Sequence, residues 1–214
     1  VNLEELITQF RAQSLDEGQA VLCSDELLTV YANEAQTEAC RRGQLLVDAM
    51  TVAVEAGAEF AAFEARMIQV LRAFADGQPL GVATADEMDL LHPGWQFHPA
   101  SDRPRLLVSG VVTGKLALWP RPAGGCTVRL TAQCLPRKTM ANDTDKPEIR
   151  PELHSALVDW MLYRSFARQD PDMENDRKAA AYLAKFEAEF GRKVSGRNEA
   201  WVRSGGGQMP GPIC

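Results

Sequence analysis

The stretch that decides the fold runs from Thr144 to Gly191 and reads TDKPEIRPELHSALVDWMLYRSFARQDPDMENDRKAAAYLAKFEAEFG. Pro147 and Pro151 cannot sit inside a helix, but Pro151 suits a first helical turn, where its missing N–H is not needed. Leu153, Leu157, Trp160, Met161 and Phe166 then spread apolar surface around much of one helix, which predicts deep packing. Asp170-Pro171 reads as a cap followed by a first-turn proline. Ala179, Tyr182, Leu183, Phe186 and Phe190 form the stripe of a last helix, with Gly191 as its C-terminal stop.

Working outward, the chain opens with a similar pattern. Leu3, Leu6, Ile7 and Phe10 recur at helical spacing, and Asn2 with Glu5 makes a capping-box pattern. Ser14–Gly18 breaks that helix. A second starts at Ser24, with Asp25 and Glu26 in its first turn, and runs through Leu27, Leu28, Tyr31, Ala35 and Ala39 to about Leu46. Glu38 lies three and four residues before Arg41 and Arg42, so ion pairs are expected on its outer face.

The period changes from about Ala49. Val52, Val54 and Met67–Leu71 are short apolar runs bounded by Gly57 and Asp76-Gly77, as in strands. Ala58–Arg66 suits either helix or strand. Thr84 with Glu87 predicts a short capped helix ending near Leu91. Leu106–Val112 and Leu116–Trp119 flank Thr113-Gly114 as a hairpin, and Thr127–Leu135 alternates with the period of a half-buried strand. The fold class expected is therefore α+β: mainly a helical bundle of N- and C-terminal helices, with an inserted small antiparallel β unit. The divisions expected are residues 1–48 with 141–203 as helical body, 49–140 as β-rich insert and 204–214 as a Gly/Pro-rich tail.

Composition narrows the function. The chain has 214 residues, 45% hydrophobic and 24% charged, with net charge −6. That is globular composition, and the acidic balance argues against a broad nucleic-acid clamp, which needs clustered Lys and Arg. The five cysteines, Cys23, Cys40, Cys126, Cys134 and Cys214, are odd in number and show no C-x-x-C spacing. Neither a disulfide framework nor a zinc cage is expected, and a reducing cytoplasm fits. No run approaches membrane-spanning length, and the opening Val-Asn-Leu-Glu-Glu lacks the pattern of a secretory signal.

No catalytic motif emerges. Asp170, Asp172, Glu174 and Asp176 superficially follow a calcium loop, but Asn175 replaces its required Gly and Ala181 its closing Glu. His92 and His98 bracket a loop holding Trp95, which gives two imidazoles and no third ligand. His154 sits beside Asp159 in the packed helix, where a hydrogen-bonded structural histidine is the common case. No nucleophile elbow, Walker loop or dinucleotide fingerprint occurs, so no cofactor, metal or catalytic residue is assigned. Arg192, Lys193, Arg197 and Arg203 cluster after the last helix with only Glu199 opposing them. They suit either helix-dipole compensation or contact with an acidic partner.

Three groups of residues together resemble one family. The first is Leu3-Glu-Glu-Leu-Ile7, then Ser24-Asp-Glu-Leu-Leu28 and Tyr31-Ala-Asn-Glu-Ala-Gln36. The second is Leu90-Leu-His-Pro-Gly-Trp95 and Leu118-Trp-Pro-Arg-Pro122. The third and most specific is Asp145-Lys-Pro-Glu-Ile149, His154, Leu157-Val-Asp-Trp160 and Phe186–Gly191. In order and spacing they resemble the head-to-tail adaptor, or connector, proteins of tailed bacteriophages. The Gly-rich tail and the Ala-rich Ala58–Ala65 depart from that pattern.

The resemblance implies a structural subunit of the virion neck, made in the host bacterial cytoplasm and not an enzyme. About a dozen copies would form a ring under the portal protein, using heterologous side-to-side contacts. Such a ring extends a channel through which double-stranded DNA passes without sequence-specific binding, and it receives the next tail or neck component. Arg192, Lys193, Arg197, Arg203, Met209 and Ile213 are the expected portal-docking residues, and Arg164 and Arg168 the expected contacts between copies. Two rivals stand beside this reading. One is a DNA-binding packaging or regulatory protein; the other is a small hydrolase using His154 or the His92/His98 loop.

Overall fold

The computed structural model describes residues 1–14, 23–62, 64–168 and 175–193. Two compact units emerge. One joins Val1–Leu46 to Leu135–Lys193, and the other comprises Val47–Cys134.

The first unit holds four helices. α1 spans Leu3–Ser14, α2 Asp25–Gly43, α4 Leu157–Phe166 and α5 Asp176–Phe190. Local chemistry sets their ends. Asn2 Oδ1 accepts from the Glu5 N–H at 2.8 Å while Glu5 Oε2 accepts from the Asn2 N–H at 3.1 Å. Ser24 caps α2 through the Leu27 N–H, and Asn175 caps α5 through the Lys178 N–H. α5 thus begins at Asp176; the expected Asp170-Pro171 cap lies outside the described residues. Pro151 opens a single 3-10 turn, Pro151–Leu153, ahead of α4.

The apolar stripes converge on one core. Leu3, Leu6 and Phe10 of α1 meet Leu28, Ala32 and Ala35 of α2, with Leu157, Met161, Leu162 and Phe186 from the C-terminal helices. The small residues of α2 allow close helix approach. Trp160, Tyr163, Phe186 and Phe190 add edge-on and tilted ring contacts with centroids 4.7–5.2 Å apart.

The second unit carries a seven-stranded sheet: β1 (Leu46–Val54), β2 (Phe60–Ala62), β3 (Met67–Ala75), β4 (Gln78–Thr84), β5 (Leu106–Val112), β6 (Lys115–Trp119) and β7 (Cys126–Cys134). Its order is β1-β7-β3-β4-β5-β6-β2. β3 pairs antiparallel with both β7 and β4, whereas β4 and β5 run parallel. A parallel pair needs a crossover, and here it is the helix α3 (Ala85–Leu91) with the loop after it. The turn between β3 and β4 places Asp76 and Gly77 at φ 46° and 79°, the doubly left-handed geometry of a tight hairpin. The Asp76 carboxylate accepts from the Thr127 N–H at 2.9 Å.

The edge strands β1 and β2 are consecutive in the chain, separated only by Glu55–Glu59. The sheet must therefore curl until its edges approach each other, close to a barrel. The Gly57 N–H donates to Pro122 O at 2.7 Å, tying the edge-to-edge link to the β6–β7 connection. Inside lie Met50, Leu80, Leu107, Leu118, Val128 and Leu130. A second, smaller core lies on the other face of β5 and β6, where Met88 and Trp95 cover Val108 and Ala117.

The expectation of a mainly helical bundle with a small antiparallel insert is overturned. Alongside five helices stands a seven-stranded mixed sheet, nearly closed. The physical reason lies in strands whose pattern is broken locally. Pro79 and Gly81 interrupt β4, and register shifts interrupt β3 between Met67 and Gln69 and again between Val70 and Arg72. Pairing across the sheet stabilises such strands where local propensity alone does not.

Candidate functional site

The helical unit bears an open groove of about 580 Å3, lined by Val30, Asn33, Glu34, Thr37, Glu38, Thr139, Trp160, Arg164 and Lys193. The α2 residues among these fall at 30, 33/34 and 37/38, one face of a helix. Asn33 fixes one wall: its amide donates to Met140 O at 2.8 Å and its Oδ1 accepts from the Met140 N–H at 2.7 Å. The buried Gln36 does the same one turn on, accepting from the Glu148 N–H at 2.6 Å.

Two of the lining residues, Glu38 and Trp160, engage a buried cation. Arg42, with only 4% of its side chain exposed, pairs with Glu38 at 3.1 Å and Glu187 at 3.5 Å. Its guanidinium also lies 5.1 Å over the Trp160 ring and 5.3 Å over Phe186. Arg41 makes the other expected pair with Glu38, at 3.0 Å; both pairs were expected on an outer, solvated face, but that of Arg42 is buried. Trp160 is buried, and its Nε1 has no hydrogen-bond partner among the described residues.

Arg164 and Arg168, the expected contacts between copies, both engage α2 or its approach. Arg164 pairs with Glu34 and lies 5.1 Å over the Tyr31 ring. Arg168 reaches Cys23 Sγ at 3.7 Å. Burial pushes the Tyr31 hydroxyl up in pKa, and the two guanidiniums pull it partly back. Arg192 and Lys193 are exposed just after α5, and Lys193 lines the groove. Arg197, Arg203, Met209 and Ile213 lie outside the described residues.

The histidines meet backbone and an aromatic ring. His154 is buried, with Nδ1 3.0 Å from Val1 O and Nε2 2.9 Å from Ile149 O. Both ring nitrogens are thus occupied by backbone. His92 stacks on Trp119 at 4.7 Å and His98 meets the same ring edge-on at 5.5 Å. Trp95, within that loop, is buried against the sheet and donates to Asp89 at 2.8 Å. Asp159 lies beside a chain of buried neighbours, and burial raises its carboxyl.

Burial also raises the thiols of Cys126 and Cys134, and pushes Cys40 up to about 12, with the Glu148 charge adding to that last shift. A thiol so placed is a poor nucleophile. Among the described residues no three His, Cys, Asp or Glu side chains are grouped to hold a metal, and no helix is long and apolar enough to cross a membrane.

Two features escaped the sequence reading. One is the groove face of α2, whose signal was the repeat of polar residues at one helix spacing. The other is the corner formed by α3 and the 3-10 turn Trp95–Phe97. There Leu90, Leu91 and Phe97 are 81%, 69% and 88% exposed. Their signal was an apolar pair placed just before His92-Pro93-Gly94 with no partner in the local pattern.

The sequence profile of the SU10 adaptor protein family matches residues 1–209, and the chain belongs to that family of phage head-to-tail adaptors. It is a family of structural proteins, not of enzymes, whose place is the virion. No curated protein matches the chain.

Proposed function

We propose that this adaptor assembles as a ring of about a dozen copies beneath the portal protein, each copy making heterologous contacts with its neighbours. The ring extends the DNA channel, and its far side receives the next tail or neck component. The observation that carries this reading is the family match along residues 1–209. A net charge of −6 supports it, since a channel wall must let DNA slide rather than hold it.

Within that ring, the basic segment at Arg192 and Lys193, continuing through Arg197, Arg203, Met209 and Ile213, docks on the portal. Arg164 and Arg168, beside the groove of the helical unit, contribute to contacts between copies. Synthesis takes place in the host cytoplasm, and assembly follows on the portal.

The test is the mass of the chain mixed with the portal ring of its own phage, beside the chain alone. Many added copies, in one discrete step and only with the portal, is the expected result. No association overturns the reading. Deleting Ser204–Cys214 is expected to weaken portal binding while the helical signal stays intact.

A further inference from the structure

The sheet unit carries two surfaces of opposite character on different parts of its outer face. The segment from Ala85 to Asp102 has no lysine or arginine. Its exposed acids are Asp86, Glu87, Asp89 and Asp102, and next to the first three in the chain stand Leu90, Leu91 and, further on, Phe97. Asp89 is engaged by Trp95, and Glu87 by the Thr84 cap; Asp86 has no partner among the described residues. Large apolar side chains this exposed are costly to solvate and mark contact surfaces.

The other surface is the outer side of β3 and β7. Ala73, Ala75, Val128 and Leu130 point inward, so Arg72, Phe74 and Arg129 point out. Arg129 lies opposite Phe74, and Arg72 opposite Thr131. The two arginines are diagonal neighbours on one face, and like charges so placed repel. Neither has an ion-pair partner among the described residues. Leu71 and Phe74 are 42% and 36% exposed beside them. The helix α3 and its turn cover this outer face over β5 and β6, but not over β3 and β7.

We propose that the α3 corner of one copy docks on the outer β3/β7 strip of the next copy. Asp86 meets Arg72 and Arg129, while Leu90 and Phe97 pack against Leu71 and Phe74. The contact joins two different patches, so it is heterologous and leaves each copy with one of each patch free, as ring closure demands. This inference rests on the ring reading and assigns its neighbour-to-neighbour surface in the sheet unit. Opposite charge selects the second copy as occupant, because each patch supplies what the other lacks.

The experiment counts copies bound per portal ring for Asp86→Arg, Arg129→Glu, Phe97→Ser and the double swap D86R/R129E. Each single change is expected to raise the concentration needed for ring formation about tenfold, and the double swap to restore most of it. All these positions are exposed, so thermal midpoints should match the wild type. With portal in excess, single copies of every variant should still bind it. Wild-type-like rings from all the single variants overturn this contact and leave the ring reading standing. Loss of lone-copy binding overturns it too, since the patches would then face the portal. A wild-type chain that never adds multiple copies removes the ring reading and this inference together.

Discussion

The helical and sheet units treat their charged residues in opposite ways. In the helical unit, Arg42 is held by two glutamates and two rings, and Arg164 by Glu34 and Tyr31. In the sheet unit, Arg66 is paired with Asp48 at 2.5 Å and Glu64 at 2.8 Å, but Arg72 and Arg129 stand exposed on the outer strip. Leu90, Leu91 and Phe97 are likewise exposed at the α3 corner, whereas the aromatic rings of α4 and α5 are largely buried. The difference teaches that one unit is a locked scaffold and the other displays surface. Substitutions at the buried rings and the Arg42 cluster of the first should therefore damage stability, and substitutions at the displayed patches of the second should damage association.

The sharpest way to break that contrast is Phe186→Ala. The side chain is fully buried among Trp160 and Phe190, and its loss should cost about 4 kcal/mol in denaturant unfolding. Next comes Arg42→Ala, which leaves Glu38 and Glu187 facing each other across a mostly buried site; about 3 kcal/mol is expected from thermal or urea melts. A cost under about 0.5 kcal/mol, the range of ordinary surface changes, would show that the cation is not structural.

In the sheet unit, Thr84→Ala removes half of a complete capping box and should cost about 1 kcal/mol. Smallest of all, Arg72→Ala should leave the melting midpoint unchanged within error and act only on assembly. A large stability loss there would erase the distinction between the two units.

Acid sharpens the comparison from another side. Backbone N–H groups of Ala141 and Asn142, each 2.8 Å from Asp145, hold its carboxyl below the usual carboxylate range. Because its folded pKa is depressed, its contribution is fully present above the ordinary value of 3.8. That contribution is lost as pH falls through the lower folded value. Asp145→Asn should therefore weaken the 141–145 loop at neutral pH and make no difference in strong acid, as read by amide exchange at Ala141 and Asn142.

The legible parts of this molecule were those with a local cause. The Asn2/Glu5 and Thr84/Glu87 boxes, the Ser24 cap, the stop at Gly191 and the alternation beginning near Thr127 all act within a few residues. The sheet's extent did not follow from such signals. β4 contains Pro79 and Gly81, and β2 sits in an alanine-rich run, so neither has a strong propensity of its own. They become strands because β3, β5 and β6 supply hydrogen-bond partners far along the chain. The partner of His92 and His98 was hidden for a related reason, since the ring that both meet is Trp119, more than twenty residues away in sequence. Of the expected docking residues, only Arg164, Arg168, Arg192 and Lys193 fall in described parts of the chain.

The joining of β1 to β2 has a consequence for how such a protein survives before assembly. Edge strands with open N–H and C=O rows recruit edges from other molecules, and that is how sheet proteins made in quantity become aggregates. Here one edge strand is only three residues long. The link to the other edge is short and is tied at Gly57 to Pro122, and the three-residue edge offers a second molecule few backbone groups to pair with. Copies crowded together can then meet through side chains, whose contacts are specific and reversible, rather than through backbone, which would join any strand to any other.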